Sequence, residues 1–172
     1  MNFLLTAYHC PEDSKLDNMG VSWLIGHRAE RKGKTNMFWK TLFLFWFGGS
    51  FYTTLEVFYR GQSHWTMFLL SGIVFLAIGA MNEGLSWETP LPLQALAGAA
   101  IATVGEFLTG CVVNLWLGWG IWDYSDMWGN LLGQVCPLFS VIWIPISVLA
   151  IVVDDVIRWR FFHQGKPRYK LF

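Results

Sequence analysis

"LPLQALAGAAIATVGEFLTGCVVNL", residues 91–115, carries a single charged side chain, Glu106. An apolar stretch of this length fills the roughly 20 residues that a bilayer core requires of a helix. Pro90 and Pro92 at its start suit a first helical turn, where a missing N–H costs nothing. Read as a helix, the stretch sets Gln94, Gly98, Ala102, Glu106, Gly110 and Asn114 in one slowly twisting stripe, because steps of four drift only gradually round the axis. Small residues in such a stripe let a neighbouring backbone come close. The acid within it is expensive: a carboxylate near the bilayer centre costs about 2.5–3.5 kcal/mol on insertion scales. At 1.5 Å per residue, Glu106 stands on the order of 10 Å from the helix end. A packing seam needs small residues; Gln94, Glu106 and Asn114 exceed that need.

Three further apolar runs flank this one, at about 38–59, 66–82 and 132–157. The composition agrees: 54% of the 172 residues are hydrophobic and only 14% charged, against about 25% charged in soluble domains. The sequence therefore predicts an all-α integral membrane protein, a four-span helical bundle. Its expected parts are a polar N-terminal tail (1–36), a transmembrane domain (37–157) and a basic C-terminal tail (158–172). "VSWLIG" (21–26), with basic residues behind it, could touch the membrane surface, although a solvated tail fits residues 1–36 better.

Net charge is zero, but the cations are segregated. Lys15, Arg28, Arg31, Lys32, Lys34 and Lys40 precede or edge the first run; Arg158, Arg160, Lys166, Arg168 and Lys170 follow the last. Only Arg60 falls between. An even number of spans puts both ends on one side, and the positive-inside rule makes that side cytoplasmic. The turn "RGQSH" (60–64) and the Trp-rich loop "WLGWGIWDYSDMWGN" (116–130) then face outward, the indoles favouring the interface. A multi-pass protein of the cell membrane is the expected localisation.

Other motifs exclude function classes. "RAERKGKT" (28–35) ends like a phosphate-binding loop but has Arg28 where the pattern needs glycine. Any ATPase would be a separate chain. Cys10, Cys111 and Cys136 have neither the spacing nor the parity of a disulfide framework or zinc site. No Ser-His-Asp order, cofactor motif or nucleic-acid footprint is legible, so no cofactor and no nucleic-acid partner are expected.

The remaining polar residues gather near the outer ends of the spans. Glu56, Arg60 and His64 recur at steps of four, so a helix projects them from nearly one face, with Glu and Arg in the favourable order. "TTLEVFYRG" (53–61) resembles "TVGEFLTG" (103–110), a weak repeat that would make two parallel-repeated helix pairs and set Glu56 and Glu106 in equivalent places. In "WDYSD", Asp123 and Tyr124 lie between tryptophans, where a folded-back loop would bring Asp123 to Arg60 or His64. Asn130 and Gln134 follow four apart. At the opposite end, Asp154 and Asp155 precede Arg158, spaced for a structural i,i+4 pair. The candidate substrate- or ion-binding set is Glu56, Arg60, His64, Glu106, Asn114, Asp123, Tyr124, Asn130 and Gln134. With one histidine, a metal site is weakly supported; its candidates are His64, Glu56, Glu106 and Asp123.

The runs "FGGSFYTTLEVFYRGQSHWTMFLLSG", "TVGEFLTGCVVNLWLGWGIWDYSD" and "NLLGQVCPLFSVIW" resemble the small membrane family of ABC transporter type IV (CmpB-like) proteins, over roughly residues 43–145. Its marks are E…RG.SHW, E-F-x-T-G, W-D-Y-S and N-x-x-G-Q-x-C. The resemblance implies that Glu56, Arg60, His64, Trp65, Glu106, Gly110, Asn114, Trp122, Asp123, Tyr124, Ser125, Asn130 and Gln134 are characteristic positions.

The expected function is a permease-like transport subunit for a cation, a proton-coupled solute or a small polar solute. Four helices enclose little space, so a homo-oligomer or a partner membrane subunit is expected beside the lipid bilayer. The rivals are a membrane-embedded enzyme acting on a lipid or amphiphile, and a structural or partner-binding protein whose polar groups only pin helices.

Overall fold

The structure is a computed structural model that describes residues 13–86 and 88–171, with side chains described from residue 37 onward. The expectations for residues 1–12 and for the side chains of 13–36, including the surface role of "VSWLIG", lie outside the described residues. The described chain is helical: α1 (Asp13–Arg60), α2 (Trp65–Gly84), α3 (Leu91–Gly110) and α4 (Pro137–Phe162). A π-helical segment, Cys111–Trp116, continues α3. Among the described residues the only β pairing is an isolated bridge between Leu131 and Val135. The chain divides into two compact units, 1–39 and 40–172. The described part of the first is the helical backbone from Asp13. The second holds the bundle.

Among the described residues, three helical stretches, 65–84, 91–116 and 137–162, are long and apolar enough to cross a membrane. The expected fourth, 38–59, does not stand out in this way: Lys40, Glu56 and its Gly, Ser, Thr and Tyr residues dilute its apolar character. It nevertheless packs along α2. Gly48 and Gly49 lie against the rings of Phe75 and Phe68, and Gly72 lies against Phe45. Rings of Phe45 and Trp46 meet Phe68 edge-on, with centroids 5.8 and 4.9 Å away. Where lipid replaces water as the competitor, such close van der Waals contact holds helices together.

The expected stripe on α3 is its buried face. Gln94, Gly98, Ala102, Glu106 and Gly110 are all buried, as are Ala95 and Ala99 beside them. Gly98 accommodates Ser147 of α4. Ile151 of α4 joins Ile78 of α2 and Leu91 of α3 in one apolar cluster. Large apolar side chains such as Phe58, Ile73, Val104 and Val141 are exposed on the helix flanks, as a lipid-facing surface requires.

Two boundaries differ from expectation. α4 starts at Pro137 rather than near residue 132, because 129–135 form a tight turn with Gly129, Leu132 and Gly133 all at positive φ. α4 also runs on to Phe162, so Arg158 and Arg160 are helical rather than part of a tail. His163, at φ 55°, ends it, and the Gln164 amide donates back to the Arg158 carbonyl at 3.1 Å. The segment beyond returns to the bundle: the Lys170 carbonyl accepts from the Leu91 amide at 2.8 Å.

Candidate functional site

The end of the bundle that carries the α1–α2 turn assembles most of the expected residues, in three groups. In the first, Arg60 Nη1 donates to Glu56 Oε1 at 3.0 Å, the i,i+4 pair read from spacing. Ser63 Oγ donates to Glu56 Oε2 at 2.6 Å. These residues line an open cleft of about 530 Å³ with His64, Trp65, Trp119 and Ile121. His64 does not reach Glu56. It caps α2, its Nδ1 lying 2.9 Å from Thr66 Oγ1 and accepting from the Thr66 amide. Its ring also packs edge-on against Trp119, with centroids 5.7 Å apart.

The second group is centred on Asn114, which the π-helical segment presents to the loop. Asn114 Nδ2 donates to the Trp122 carbonyl (3.0 Å) and to Gln134 Oε1 (2.8 Å), and its Oδ1 accepts from the Ile121 amide (2.7 Å). Trp122 Nε1 donates to the Gln134 carbonyl at 3.0 Å. Gly110 permits this closure, since a Cβ there would fall 2.5 Å from Gln134 Oε1. Arg60 Nη2 reaches the Ile121 carbonyl at 3.3 Å and so ties the first group to the second.

The third group is Glu106, 3% exposed. Its Oε1 accepts from Tyr124 Oη at 3.0 Å and its Oε2 from Trp143 Nε1 at 2.9 Å. Trp143 stacks on Tyr52, with centroids 5.6 Å apart. Burial, then the charge of Glu106, holds the Tyr124 hydroxyl protonated well above the usual phenol range. Among the described residues no cation pairs with Glu106.

Asp123 and Asn130 do not join these groups. Asp123 is exposed and accepts from the Ser125 hydroxyl (2.6 Å) and amide (2.8 Å), which hold its carboxyl below the usual range, the hydroxyl foremost. Asn130 Nδ2 donates to the Ser125 and Met127 carbonyls, and its Oδ1 accepts from the Gly133 amide. Both shape the loop that delivers Tyr124 and Gln134. The weak metal set does not converge either: among the described residues no three His, Cys, Asp or Glu side chains stand close enough to hold an ion. Trp143, Tyr52 and Ser63 are participants that sequence reasoning passed over. Trp143 and Tyr52 sit in apolar runs where polarity gives no signal.

A family model described as "Putative ABC-transporter type IV" matches residues 42–170. The chain belongs to this family. The match begins just before the glycine pair that packs α1 on α2 and ends at the residue whose carbonyl binds the start of α3. With its apolar helices, this makes the chain a membrane protein of a transport-related family. No curated protein and no solved structure matches it.

A second polar cluster lies at the opposite end, where sequence reading saw only a boundary pair. Arg158 Nε donates to Asp154 Oδ2 at 2.5 Å, and its Nη1 lies 3.4 Å from Glu83 Oε2. Asn82 Nδ2 and Tyr169 Oη donate to the two oxygens of Asp155, at 2.7 and 3.0 Å. Asp154, Asp155 and Arg158 are all buried. The sequence signal was Asn82-Glu83 near the end of α2, but the partner of Asn82, Asp155, stands 73 positions further on.

Proposed function

We propose that the chain is a small permease-like transport subunit, with residues 38–59 as a fourth span and both termini in the cytoplasm of a cell-membrane protein. It works as a homo-oligomer or with a partner membrane subunit, and any ATPase is a separate chain. The observation that carries this reading is Glu106: a buried carboxylate in an apolar bundle, held among the described residues by the neutral donors Tyr124 and Trp143. A carboxylate there is costly unless a proton or cation neutralises it. Glu56 has Arg60 for that purpose. Glu106 is free to take the charge of what passes, which favours a cation or a proton-coupled solute. Arg60 sets the charge of the cleft, and Asn114, Tyr124 and Gln134 hold the wall; His64, Asp123 and Asn130 fix the turn and loop.

The test is flux in reconstituted vesicles under an imposed pH or cation gradient. Glu106→Gln removes the charge and can keep the bond from Trp143 Nε1 through its amide oxygen, with Tyr124 Oη turning to accept from the new amide N–H. The substitution is expected to abolish flux with an unchanged thermal midpoint; wild-type flux in this variant sinks the reading.

A second reading, an enzyme acting on a lipid or amphiphile, is favoured by one feature. The open cleft places Arg60 and the close Ser63–Glu56 pair beside exposed Trp65 and Trp119, where a headgroup would sit. Release of product from a short-chain lipid, lost in Ser63→Ala, would support it.

A further inference from the structure

The chain beyond α4 forms one wall of an open cleft of about 570 Å³, lined by Glu88, Gly165, Lys166, Arg168, Tyr169 and Lys170. This wall is tied to the bundle at both ends. The Gln164 amide donates to the Arg158 carbonyl, Tyr169 Oη donates to Asp155, and the Leu91 amide donates to the Lys170 carbonyl. Between those ties, Pro167 fixes a backbone angle between Lys166 and Arg168. The two cations are therefore held over the cleft in advance, and a ligand does not have to order a free tail to meet them.

These cations lack a counter-charge. Lys170 Nζ lies 3.0 Å from Glu88 Oε2 and engages the one carboxylate in the cleft lining. Lys166 and Arg168 are exposed, and among the described residues neither pairs with an acid. The neighbouring cluster does not make up the difference. Its acids, Glu83, Asp154 and Asp155, have Arg158 and Lys40 beside them. With Arg160 on the last turn of α4 and His163 neutral, the described side chains at this end number six cations against four acids, an excess of two positive charges.

The surroundings choose the anion. Trp159, exposed in the last turn of α4, and the partly exposed Tyr169 are of the types that favour the membrane–water interface. Exposed Phe161 and Leu171 offer apolar surface to acyl chains. The anions at hand at that level are lipid phosphates. We propose that this cleft binds the phosphate of an anionic phospholipid from the surrounding bilayer, held by Arg168 and Lys166. The planar fork of Arg168 suits two phosphate oxygens, and Lys166 adds a compact charge. A headgroup with net negative charge matches the two uncompensated cations; a zwitterionic one brings its own ammonium and loses that match. The lipid would fasten the C-terminal segment to the bilayer surface without depending on the Glu106 site.

The full chain, purified in detergent, is given equal amounts of phosphatidylglycerol and phosphatidylcholine with matched acyl chains, and bound lipid is counted by native mass spectrometry. The first phosphatidylglycerol is expected to bind about tenfold more tightly than phosphatidylcholine, as two cations beside a lipid phosphate allow. Lys166→Gln combined with Arg168→Gln should remove that preference. Arg160→Gln, outside the cleft lining, should keep it. Equal binding of the two lipids, a full preference in the double variant, or a loss in Arg160→Gln as large as in the double variant would each overturn the proposal. Inorganic phosphate separates a lipid headgroup from a free anion. At millimolar concentration and matched ionic strength it should leave the thermal midpoint where chloride leaves it. A rise in phosphate that the double variant lacks would mark a site for a soluble anion and overturn the lipid assignment. Should the double variant fail to fold, tryptic cleavage after Arg168 in the wild-type chain decides. Phosphatidylglycerol must slow it relative to phosphatidylcholine, and equal rates overturn the proposal. Flux in Glu106→Gln enters none of these outcomes, so the two readings fail separately.

Discussion

Asn114 shows what one half-buried polar side chain does at the end of a membrane bundle. It satisfies the Ile121 amide, the Trp122 carbonyl and Gln134 at once. Asn114→Ala strands those groups, and a stability loss of about 1–3 kcal/mol is expected, read as a lower thermal midpoint with loss of the Trp122 environment in near-ultraviolet dichroism. Asp123 belongs to the same loop but acts through its ionised form. Its carboxyl is held below its ordinary value of 3.8, so its stabilising effect is present above pH 3.8 and is lost as pH falls through the lower folded value. Between pH 5 and 2.5, Asp123→Asn should therefore lose less stability than wild type; a parallel decline in both would exclude the Ser125 contact as the cause. At this scale spacing was informative only for local pairs. Glu56–Arg60 and Asp154–Arg158 follow from helical geometry alone. His64 continues the same column, yet the helix ends at Arg60 and the imidazole turns to cap the next one.

At the scale of elements, glycine decides how closely α1 and α2 approach. A Cβ on Gly72 would fall 2.8 Å from the Phe45 carbonyl oxygen, a backbone atom that cannot swing aside. Gly72→Leu should push the helices apart and cost at least about 1–3 kcal/mol, lowering the melting temperature in detergent. Gly84→Ala on the same helix meets nothing within 4 Å and should be neutral or slightly stabilising. The stripe of polar and small residues on α3 was readable because its period follows the helix. The start of α4 was misread because hydropathy is blind to φ. "LLGQVC" is apolar enough to extend a span, but Leu132 and Gly133 turn the chain, and the helix begins only at Pro137.

For the whole molecule, the expected topology places the cations at one membrane face. Cysteines substituted for Gln62 and Trp128, in a background lacking the native thiols, should react with an impermeant maleimide from outside intact cells. One substituted for Glu88 should react only after permeabilisation. Labelling of Gln62→Cys and Glu88→Cys from the same side would remove residues 65–84 as a span. The C-terminal segment, expected as a basic cytoplasmic tail, closes the cluster around Asp155. Burial, then the Asp155 charge, holds the Tyr169 hydroxyl above the usual phenol range. Its contribution is thus complete below pH 10 and is lost only as pH rises through the still higher folded value.

The amino-acid sequence determined that this chain is helical and membrane-borne, which face of α3 is buried, and which charged residues pair within one helix. These follow from composition and from a 3.6-residue period, which every neighbouring turn reads in the same way. Only the tertiary structure decided which polar groups from different helices meet. It joined Glu106 to Tyr124 and Trp143, set Asn114 against Gln134, brought Asn82 and Tyr169 to Asp155, and left Asp123 to its own loop. The reason is geometric. Helix rotation and loop backbone angles choose among partners that lie tens of residues apart, and no local periodicity encodes that choice.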